Sequence, residues 1–240
     1  ILVDAGLSGK RIQEAFCSIG VDIRSIDAIL ITHEHRDHIK GAGILSRRYN
    51  IPIYATGLTW DAMACDLGPV DEKNIKILDI NTEFHVKDII VKPYPTPHDA
   101  VDSIGFCFFA DGKKISITTD LGHTNDEILK TIEGSDLVML EANHDIEMLK
   151  AGPYPWYLKK RILGDNGHLS NEDAGKTISK LVRGNLQRVI LAHLSKENNF
   201  PELAYQTICN ILVQHDIVPG KDIQIELANR DRHSDIYELV

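Results

Sequence analysis

Three histidines and an aspartate lie within six consecutive positions of this 240-residue chain. The segment reads THEHRDH and places His33, His35, Asp37 and His38 directly after an apolar run. Imidazole nitrogens and carboxylate oxygens are common protein ligands of zinc, iron and manganese. Three histidines so close together on a solvated loop have no evident packing role, so the spacing predicts a metal site.

Further residues of the same types follow predicted strands elsewhere in the chain. His98 follows the strand 89–94 through a Pro-Thr-Pro turn, Asp120 closes ISITTD, and His193 closes RVILAH. In layered α/β proteins, functional side chains collect where strands end, because the loops there converge on one edge of a sheet. We therefore expect these three residues to join the histidine cluster.

Seven such ligands exceed what one tetrahedral ion binds and suit two ions. The predicted division has His33, His35 and His98 on one ion, Asp37, His38 and His193 on the other, and Asp120 between them. Two divalent ions about 3.5–4 Å apart hold a bridging hydroxide and stabilise the attacking and leaving oxygens. The ligand set therefore predicts a hydrolase with two divalent metal ions, and it is compatible with zinc, manganese or iron.

The elements that must position these residues alternate between strands and helices. The pattern predicts strands over residues 1–4, 28–32, 53–55, 75–78, 84–86, 89–94, 104–110, 114–118, 137–141, 188–192 and 223–227. It predicts helices over residues 8–20, 39–49, 59–66, 125–132, 156–163, 171–182 and 201–215. Asp111-Gly112 marks a hairpin turn. With neither a repeat nor a linker, residues 1–240 are expected to form a single domain.

Composition limits the class of protein further. Hydrophobic residues at 43% and charged residues at 25% are ordinary for a folded globular chain. The net charge of −9 argues against a surface that holds nucleic acid by electrostatics alone. No apolar run is long enough to span a membrane and no signal peptide opens the chain, which favours the cytoplasm. Because residue 1 already lies in an apolar run, we expect one or more N-terminal strands to precede it.

The motif THEHRDH resembles the HxHxDH signature of the metallo-β-lactamase superfamily. The other motifs stand in the family's order: ILVDAG, then THEHRDH, TPHD, TTDLG and LAHLS. The resemblance implies an α/β fold, a four-layer αββα sandwich with two metals in a cleft at one edge of the paired sheets. It also implies the ligand division given above and a supporting role for Asp4 beneath the cluster.

Within the superfamily, the chain resembles the YycJ (WalJ) branch, small members regarded as exonucleases acting on DNA. The similar stretches are LEANHDIEML, GPYPWYLKKRILGDNGHLSNEDA and LAHLSKENNFPELA. Class B β-lactamases usually carry cysteine at the position of Asp120, and the segment 120–193 is too short for a β-CASP insertion. The expectation is phosphodiester hydrolysis of DNA by a metal-bridging hydroxide. Alternatives are a small-molecule hydrolase acting on a thioester, lactone or cyclic phosphodiester, and a non-catalytic metal-stabilised scaffold.

The segment 154–168 contains further candidates. Lys159, Lys160 and Arg161 stand beside Tyr154, Trp156 and Tyr157, a combination that suits an unpaired DNA end. The alternative is a solvated amphipathic helix whose aromatic residues lie in the core. His168 lies two residues before Ser170, which is predicted to cap a helix. It either serves a local role, or it contacts phosphate or protonates the leaving oxygen, and the branch resemblance favours the second interpretation.

The remaining histidines are assigned weaker roles. Asn143 and His144 follow the strand 137–141 and are candidates for supporting the metal site or contacting substrate. Four other histidines have neither strand-end nor motif support as ligands and are expected to be surface or packing residues: His85, His123, His215 and His233.

Overall fold

The computed structural model describes residues 1–184, 186–230 and 232–239. The chain divides into two compact units, Ile1–Pro95 with Ala100–Ile104, and Thr96–Asp99 with Gly105–Val240. Strands and helices alternate along both units, as the apolar periodicity predicted.

The first unit contains a four-stranded parallel sheet in the order β1-β2-β3-β4. The strands of this sheet are β1 (Leu2–Val3), β2 (Ile29–Leu30), β3 (Ile53–Thr56) and β4 (Ile75–Leu78). The unit also contains an antiparallel pair outside this sheet, β5 (Phe84–Val86) and β6 (Ile89–Pro95). Its helices are α1 (Gly9–Ser18), α2 (Arg36–Ile39), α3 (Ala42–Tyr49) and α4 (Gly57–Leu67), with 3-10 turns at Ile23–Ser25 and Glu72–Asn74. Fully buried Ile29, Ile53 and Met63 belong to its core.

The second unit contains strands in the order β11-β10-β9-β8-β7. They are β7 (Ile104–Ala110), β8 (Lys113–Thr118), β9 (Leu137–Glu141), β10 (Arg188–Ala192) and β11 (Gln224–Leu227). The helices are α5 (Asp126–Ile132), α6 (Ile146–Ala151), α7 (Trp156–Ile162), α8 (Asn171–Val182) and α9 (Pro201–Gln214). The predicted hairpin at Asp111-Gly112 is confirmed, since β7 and β8 pair antiparallel with Ala110 opposite Lys113.

Parallel register places several polar side chains at one edge of the second unit's sheet. Strands β8, β9 and β10 are adjacent and parallel, with Thr118 opposite Leu140 and Glu141 opposite Ala192. Asp120, Glu141 and His193 therefore leave the sheet at neighbouring points. The strand-end rule used on the sequence has this register as its physical basis.

Three residues next to strand ends have left-handed backbones. Asp4 has φ 55°, Asp120 has φ 55° and His193 has φ 57°. This conformation costs an L-residue roughly 1–2 kcal/mol and is found preferentially at functional sites. The chain thus turns sharply where each of these side chains is presented.

The helix predicted over residues 39–49 is instead two helices, α2 and α3, separated at Lys40 and Gly41. The Gly41 amide donates to the Ala5 carbonyl at 2.7 Å, and a Cβ on Gly41 would lie 2.4 Å from the Leu7 carbonyl oxygen. This tertiary contact ends α2, and apolar periodicity alone does not encode it. The helix α6 was also not predicted; Asp145 caps it by accepting from the Met148 amide at 2.8 Å.

Among the described residues, no helix combines the length and the apolar character that a membrane crossing requires. The four cysteines are all free thiols: Cys17 and Cys65 are exposed, and Cys107 and Cys209 are buried.

Replacing Gly6 with alanine is expected to destabilise the first unit. A Cβ at this position would lie 1.6 Å from the Asp37 carbonyl oxygen, so the backbone carrying Asp37 and His38 must move. Overpacking of this kind typically costs about 1–3 kcal/mol. Thermal and denaturant unfolding measure the loss, and the metal content of the purified variant should fall with it. Gly57→Ala is the matched control, because its nearest contact would be Ile77 at 3.9 Å; equal stability of the two variants would contradict the prediction.

Candidate metal centre

The carboxylate of Asp4 organises the histidine cluster of the first unit. Its Oδ1 accepts from the Thr32 amide at 2.8 Å. Its Oδ2 accepts from the Thr32 hydroxyl at 2.8 Å and from His38 Nδ1 at 2.7 Å. Asp4 follows β1 and Thr32 follows β2, so the parallel pairing of these strands brings the two side chains together.

These hydrogen bonds select the tautomers of two histidines. A carboxylate accepts, so His38 carries its proton on Nδ1 and its lone pair on Nε2. The Thr32 hydroxyl gives its one proton to Asp4, so it accepts from His33 Nδ1 at 2.9 Å, which places the lone pair of His33 on Nε2. That atom lies 3.0 Å from His35 Nδ1. Two imidazole nitrogens at this separation suit ligation of one cation.

The short helix α2 places Asp37 beside His38. The Asp37 side chain is 74% exposed, while that of His38 is 8% exposed, and Asp37 Oδ2 lies 4.0 Å from His38 Nε2. The solvated carboxylate and the buried imidazole thus present ligand atoms close together.

Glu141 plays the corresponding role in the second unit. It is fully buried at the end of β9, and its Oε1 accepts from His168 Nδ1 and His193 Nδ1, both at 2.8 Å. Its Oε2 accepts from the amides of Leu121 at 3.1 Å and Leu169 at 3.2 Å. These four partners of the carboxylate are all N–H donors, which fixes both rings with Nε2 as the second nitrogen.

Sequence reasoning did not single out Glu141. The available signal was its position as the last residue of a predicted strand, which is the criterion that selected the other ligand candidates.

The charge state of this group is set by opposing effects. Burial raises the pKa of Glu141, but the charges and hydrogen bonds of His168 and His193 outweigh burial and hold the pKa well below its usual range. For His168, burial lowers the pKa, while the charge and hydrogen bond of Glu141 and the charge of Asp120 raise it above the ordinary value. An ionised Glu141 keeps both Nδ1 atoms as donors.

Asp120 lies among three imidazoles. Its side chain is 2% exposed, and its Oδ1 is 3.4 Å from His193 Nδ1, 3.5 Å from His168 Nδ1 and 3.8 Å from His98 Nε2. His98 Nδ1 donates to the Gly167 carbonyl at 3.0 Å, so its lone pair is on Nε2. Burial lowers the pKa of His98 against the opposing charge of Asp120. The neutral imidazole is the form that binds metals.

The donor set of the second unit fits a divalent cation. Asp120, Glu141, His168 and His193 each offer a ligand atom, and these atoms lie within 4.8 Å of one another. Since Glu141 accepts four N–H groups, it is better suited to orienting the imidazoles than to binding an ion itself. Imidazole with carboxylate is a donor set that zinc, manganese and iron accept.

Asn143 and His144 occupy different surroundings. Asn143 Nδ2 donates to the His193 carbonyl at 2.9 Å, which helps to hold the left-handed turn at His193. His144 is buried beside Ser170, and in the described part of the chain neither of its ring nitrogens has a hydrogen-bond partner. Burial is the largest effect lowering the pKa of His144 to about 4, so this ring is neutral.

The three basic residues of α7 have distinct environments. Lys159 is buried, and its Nζ donates to the carbonyls of Lys150 at 2.6 Å and Gly152 at 2.7 Å, where α6 ends. Arg161 forms an ion pair with Asp99. Lys160 is exposed and lies over the Trp156 ring, 5.7 Å from its centroid.

The alternative that places the aromatic residues of this helix in the core is wrong for Trp156 and Tyr157. They are 62% and 76% exposed. The four histidines predicted to be surface or packing residues are exposed: His85, His123, His215 and His233.

Comparison with known proteins gives a consistent result. A family profile described as "Beta-lactamase superfamily domain" matches residues 1–194. The chain is 40% identical over 241 residues to Exodeoxyribonuclease WalJ of Streptococcus pneumoniae, covering 100% of this chain and 90% of that protein. It is 39% identical over 228 residues to Exodeoxyribonuclease YycJ of Bacillus anthracis, covering 94% and 85%. The metallo-β-lactamase fold protein YhfI of Bacillus subtilis superposes with a TM-score of 0.67 at 16% identity, covering 94% and 83%. The predicted fold, an α/β metallo-β-lactamase fold with two sheets flanked by helices, is confirmed.

Replacing Glu141 with glutamine is expected to disorder both imidazoles that it holds. An amide cannot accept from four N–H donors, because its nitrogen carries protons of its own. Loss of a group that orients metal ligands typically costs about 10–100-fold in metal affinity or activity. Calorimetric titration with the metal measures the affinity of the variant. Glu127→Gln, on the exposed face of α5, is the control and should bind metal as the parent does. Parental affinity in Glu141→Gln would refute the assigned role.

Alanine substitution is expected to destabilise the protein at Lys159 but to have little effect at Lys160. Removing the Lys159 ammonium leaves two carbonyls at the end of α6 without their donor, which costs about 1–3 kcal/mol. Lys160→Ala removes an exposed side chain and should change the free energy of unfolding by less than about 0.5 kcal/mol. Urea denaturation of the two variants checks the contrast, and equal stabilities would count against the buried anchor.

Proposed function

The chain belongs to the metallo-β-lactamase-fold superfamily, and on that premise we propose that it is a dinuclear-metal exonuclease that hydrolyses phosphodiester bonds of DNA. The observation that carries the proposal is the identity of 40% over the whole chain to a protein named exodeoxyribonuclease. The enzyme class itself, a metal-dependent hydrolase, rests on the same relatives and on the His/Asp cluster.

The proposed ligands are the seven residues that the sequence motifs select. His33, His35 and His98 would hold one ion, Asp37, His38 and His193 the other, and Asp120 would be shared. Supporting this division, hydrogen bonds to Nδ1 leave the lone pair on Nε2 in His33, His38, His98 and His193. The ions, zinc or manganese and alternatively iron, would supply an activated water and neutralise charge on the phosphate. We further propose that residues 1–240 act as one domain without a β-CASP insertion.

His168 is the proposed proton donor. Its Nδ1 is held by Glu141, which leaves Nε2 to contact the phosphate or the departing sugar oxygen. In hydrolysis, the oxygen of water forms a new bond to phosphorus, the bond from phosphorus to the sugar oxygen breaks, and that oxygen takes up a proton. A positioned imidazolium can provide this proton near neutral pH. Asn143 is proposed to hold His193 in place, because its side-chain amide donates to the backbone carbonyl of His193.

The acidity of the protein is compatible with a DNA substrate. Two divalent cations would add four positive charges where the phosphate binds, and the net charge of −9 disfavours unspecific adhesion elsewhere. With DNA as its substrate, the proposed place of action is the cytoplasm.

A substrate comparison tests the proposal. Protein loaded with manganese or zinc is incubated with end-labelled DNA, in single-stranded and duplex form, and with a panel of thioesters, lactones and cyclic phosphodiesters. Progressive release of nucleotides from DNA is expected. Ester turnover without DNA degradation would replace the proposal with a small-molecule hydrolase, and tight metal binding without any turnover would replace it with a scaffold.

Two substitutions should separate metal binding from proton transfer. Asp120→Asn weakens a shared ligand and is expected to abolish turnover and to lower the metal content. His168→Ala should slow turnover about 10²–10⁴-fold, the usual contribution of a general acid, with metal content intact. Elemental analysis and nuclease assays report the two quantities. His85→Ala, an exposed histidine of β5, is the control; near-parental rates for Asp120→Asn would exclude its bridging role.

A further inference from the structure

We propose that Trp156, Tyr157 and Lys160, here called the α7 platform, bind an unpaired end of the DNA by base stacking. This proposal rests on the proposed function. It adds that the DNA end is bound as a single strand, and it names the residues that bind it. The three residues lie on one helix of the second unit, Trp156–Ile162.

The first support is the exposure of the two rings. Trp156 is 62% and Tyr157 is 76% exposed, although aromatic side chains usually bury most of their area. Lys160 lies one helical turn beyond Trp156, with its ammonium 5.7 Å from the indole centroid. Exposed rings combined with a cation are what proteins use to bind single-stranded nucleic acid.

The second support is that α7 is held rigidly from both sides. Lys159 donates to two carbonyls at the end of α6. Arg161 pairs with Asp99, whose Oδ1 is 3.3 Å from Nε2 of the proposed ligand His98. Arg161 follows Tyr157 by four residues, about 6 Å along the helix axis. The platform therefore lies close to the chain segment that carries a ligand.

The charge distribution favours an unpaired end over a duplex. Lys159 is buried and Arg161, although its side chain is 54% exposed, is ion-paired with Asp99, while the exposed Lys160 lies over the Trp156 ring. Duplex binding depends on many phosphate contacts, and one lysine on a chain of net charge −9 supplies few. Stacking needs exposed base faces, which a single strand presents along its length and a blunt duplex presents only at its terminal pairs.

Tryptophan fluorescence offers a direct test, because the chain has two tryptophans and Trp60 is 8% exposed. The metal-loaded protein is titrated with a phosphorothioate oligothymidylate, which resists hydrolysis, and with a blunt phosphorothioate duplex. The single strand should quench the tryptophan emission and protect the remaining emission from quenching by iodide. The Trp156→Phe variant should lose most of this response. The duplex should cause little quenching and little protection from iodide. Equal effects of both DNAs, or binding of the single strand without quenching or iodide protection, would overturn the proposal.

Variant kinetics separate this proposal from the proposed function. In Trp156→Ala and Tyr157→Ala, the ratio of turnover on single-stranded DNA to turnover on bis-p-nitrophenyl phosphate should fall about ten-fold, and Tyr157→Phe should restore it. Tyr205→Ala, a partly exposed ring on α9, is the control. If the parent digests DNA and the ratio is unaffected in the alanine variants, the platform is wrong and the nuclease stands. If the parent cleaves only the small ester, the proposed function itself fails.

Salt dependence and oligomeric state complete the test. Lys160→Ala should reduce the slope of log affinity against log salt for single strands by about 0.7, while Lys130→Ala on α5 should leave it unchanged. Sedimentation of the parent and of Trp156→Ala examines the competing occupant, a second copy of the chain. A dimer that dissociates in the variant would assign the rings to self-association and overturn the DNA platform.

Discussion

A buried carboxylate that holds two imidazoles by their Nδ1 atoms is the interaction on which the second unit's chemistry depends. Glu141 fixes His168 and His193 at 2.8 Å each and takes two backbone amides on its other oxygen. In the first unit, Asp4 does the same for His38 and, through Thr32, for His33. In both units one carboxylate fixes the tautomer of the imidazoles, so that Nδ1 carries the proton and Nε2 carries the lone pair. The rings are thereby oriented for metal binding before an ion is present.

This arrangement has a cost that the fold must offset. Burying an ionised carboxylate is unfavourable, and the four N–H groups that donate to Glu141 stabilise its charged form. The left-handed backbones of Asp120 and His193 add conformational strain. Adjacent parallel strands β8, β9 and β10 carry these residues in register. The pairing and packing of these strands offset the unfavourable free energy of the strained backbone and the buried charge.

The alternating elements could be predicted from the sequence, because apolar periodicity is a local signal. The seven proposed ligands were selected by residue type at strand ends, and their division between two ions stays a prediction. Glu141 was missed although it closes a predicted strand, because that position gives no sign that two histidines from distant segments donate to its carboxylate. The break at Gly41 depends on carbonyls of Ala5 and Leu7, which periodicity within residues 39–49 cannot reveal. Likewise, the exposure of Trp156 depends on which helix face its neighbours cover.

Lys159 and Lys160 are consecutive in sequence, yet one amine is enclosed by carbonyls and the other is open to solvent. An amine that donates to two carbonyls inside the protein is shielded from a reagent in solvent, whereas an exposed amine is accessible. Amine-directed acylating reagents should therefore discriminate between these adjacent residues under native conditions. Acylation of Lys159 would therefore report that α7 has unfolded, with the exposed Lys160 beside it as an internal reference.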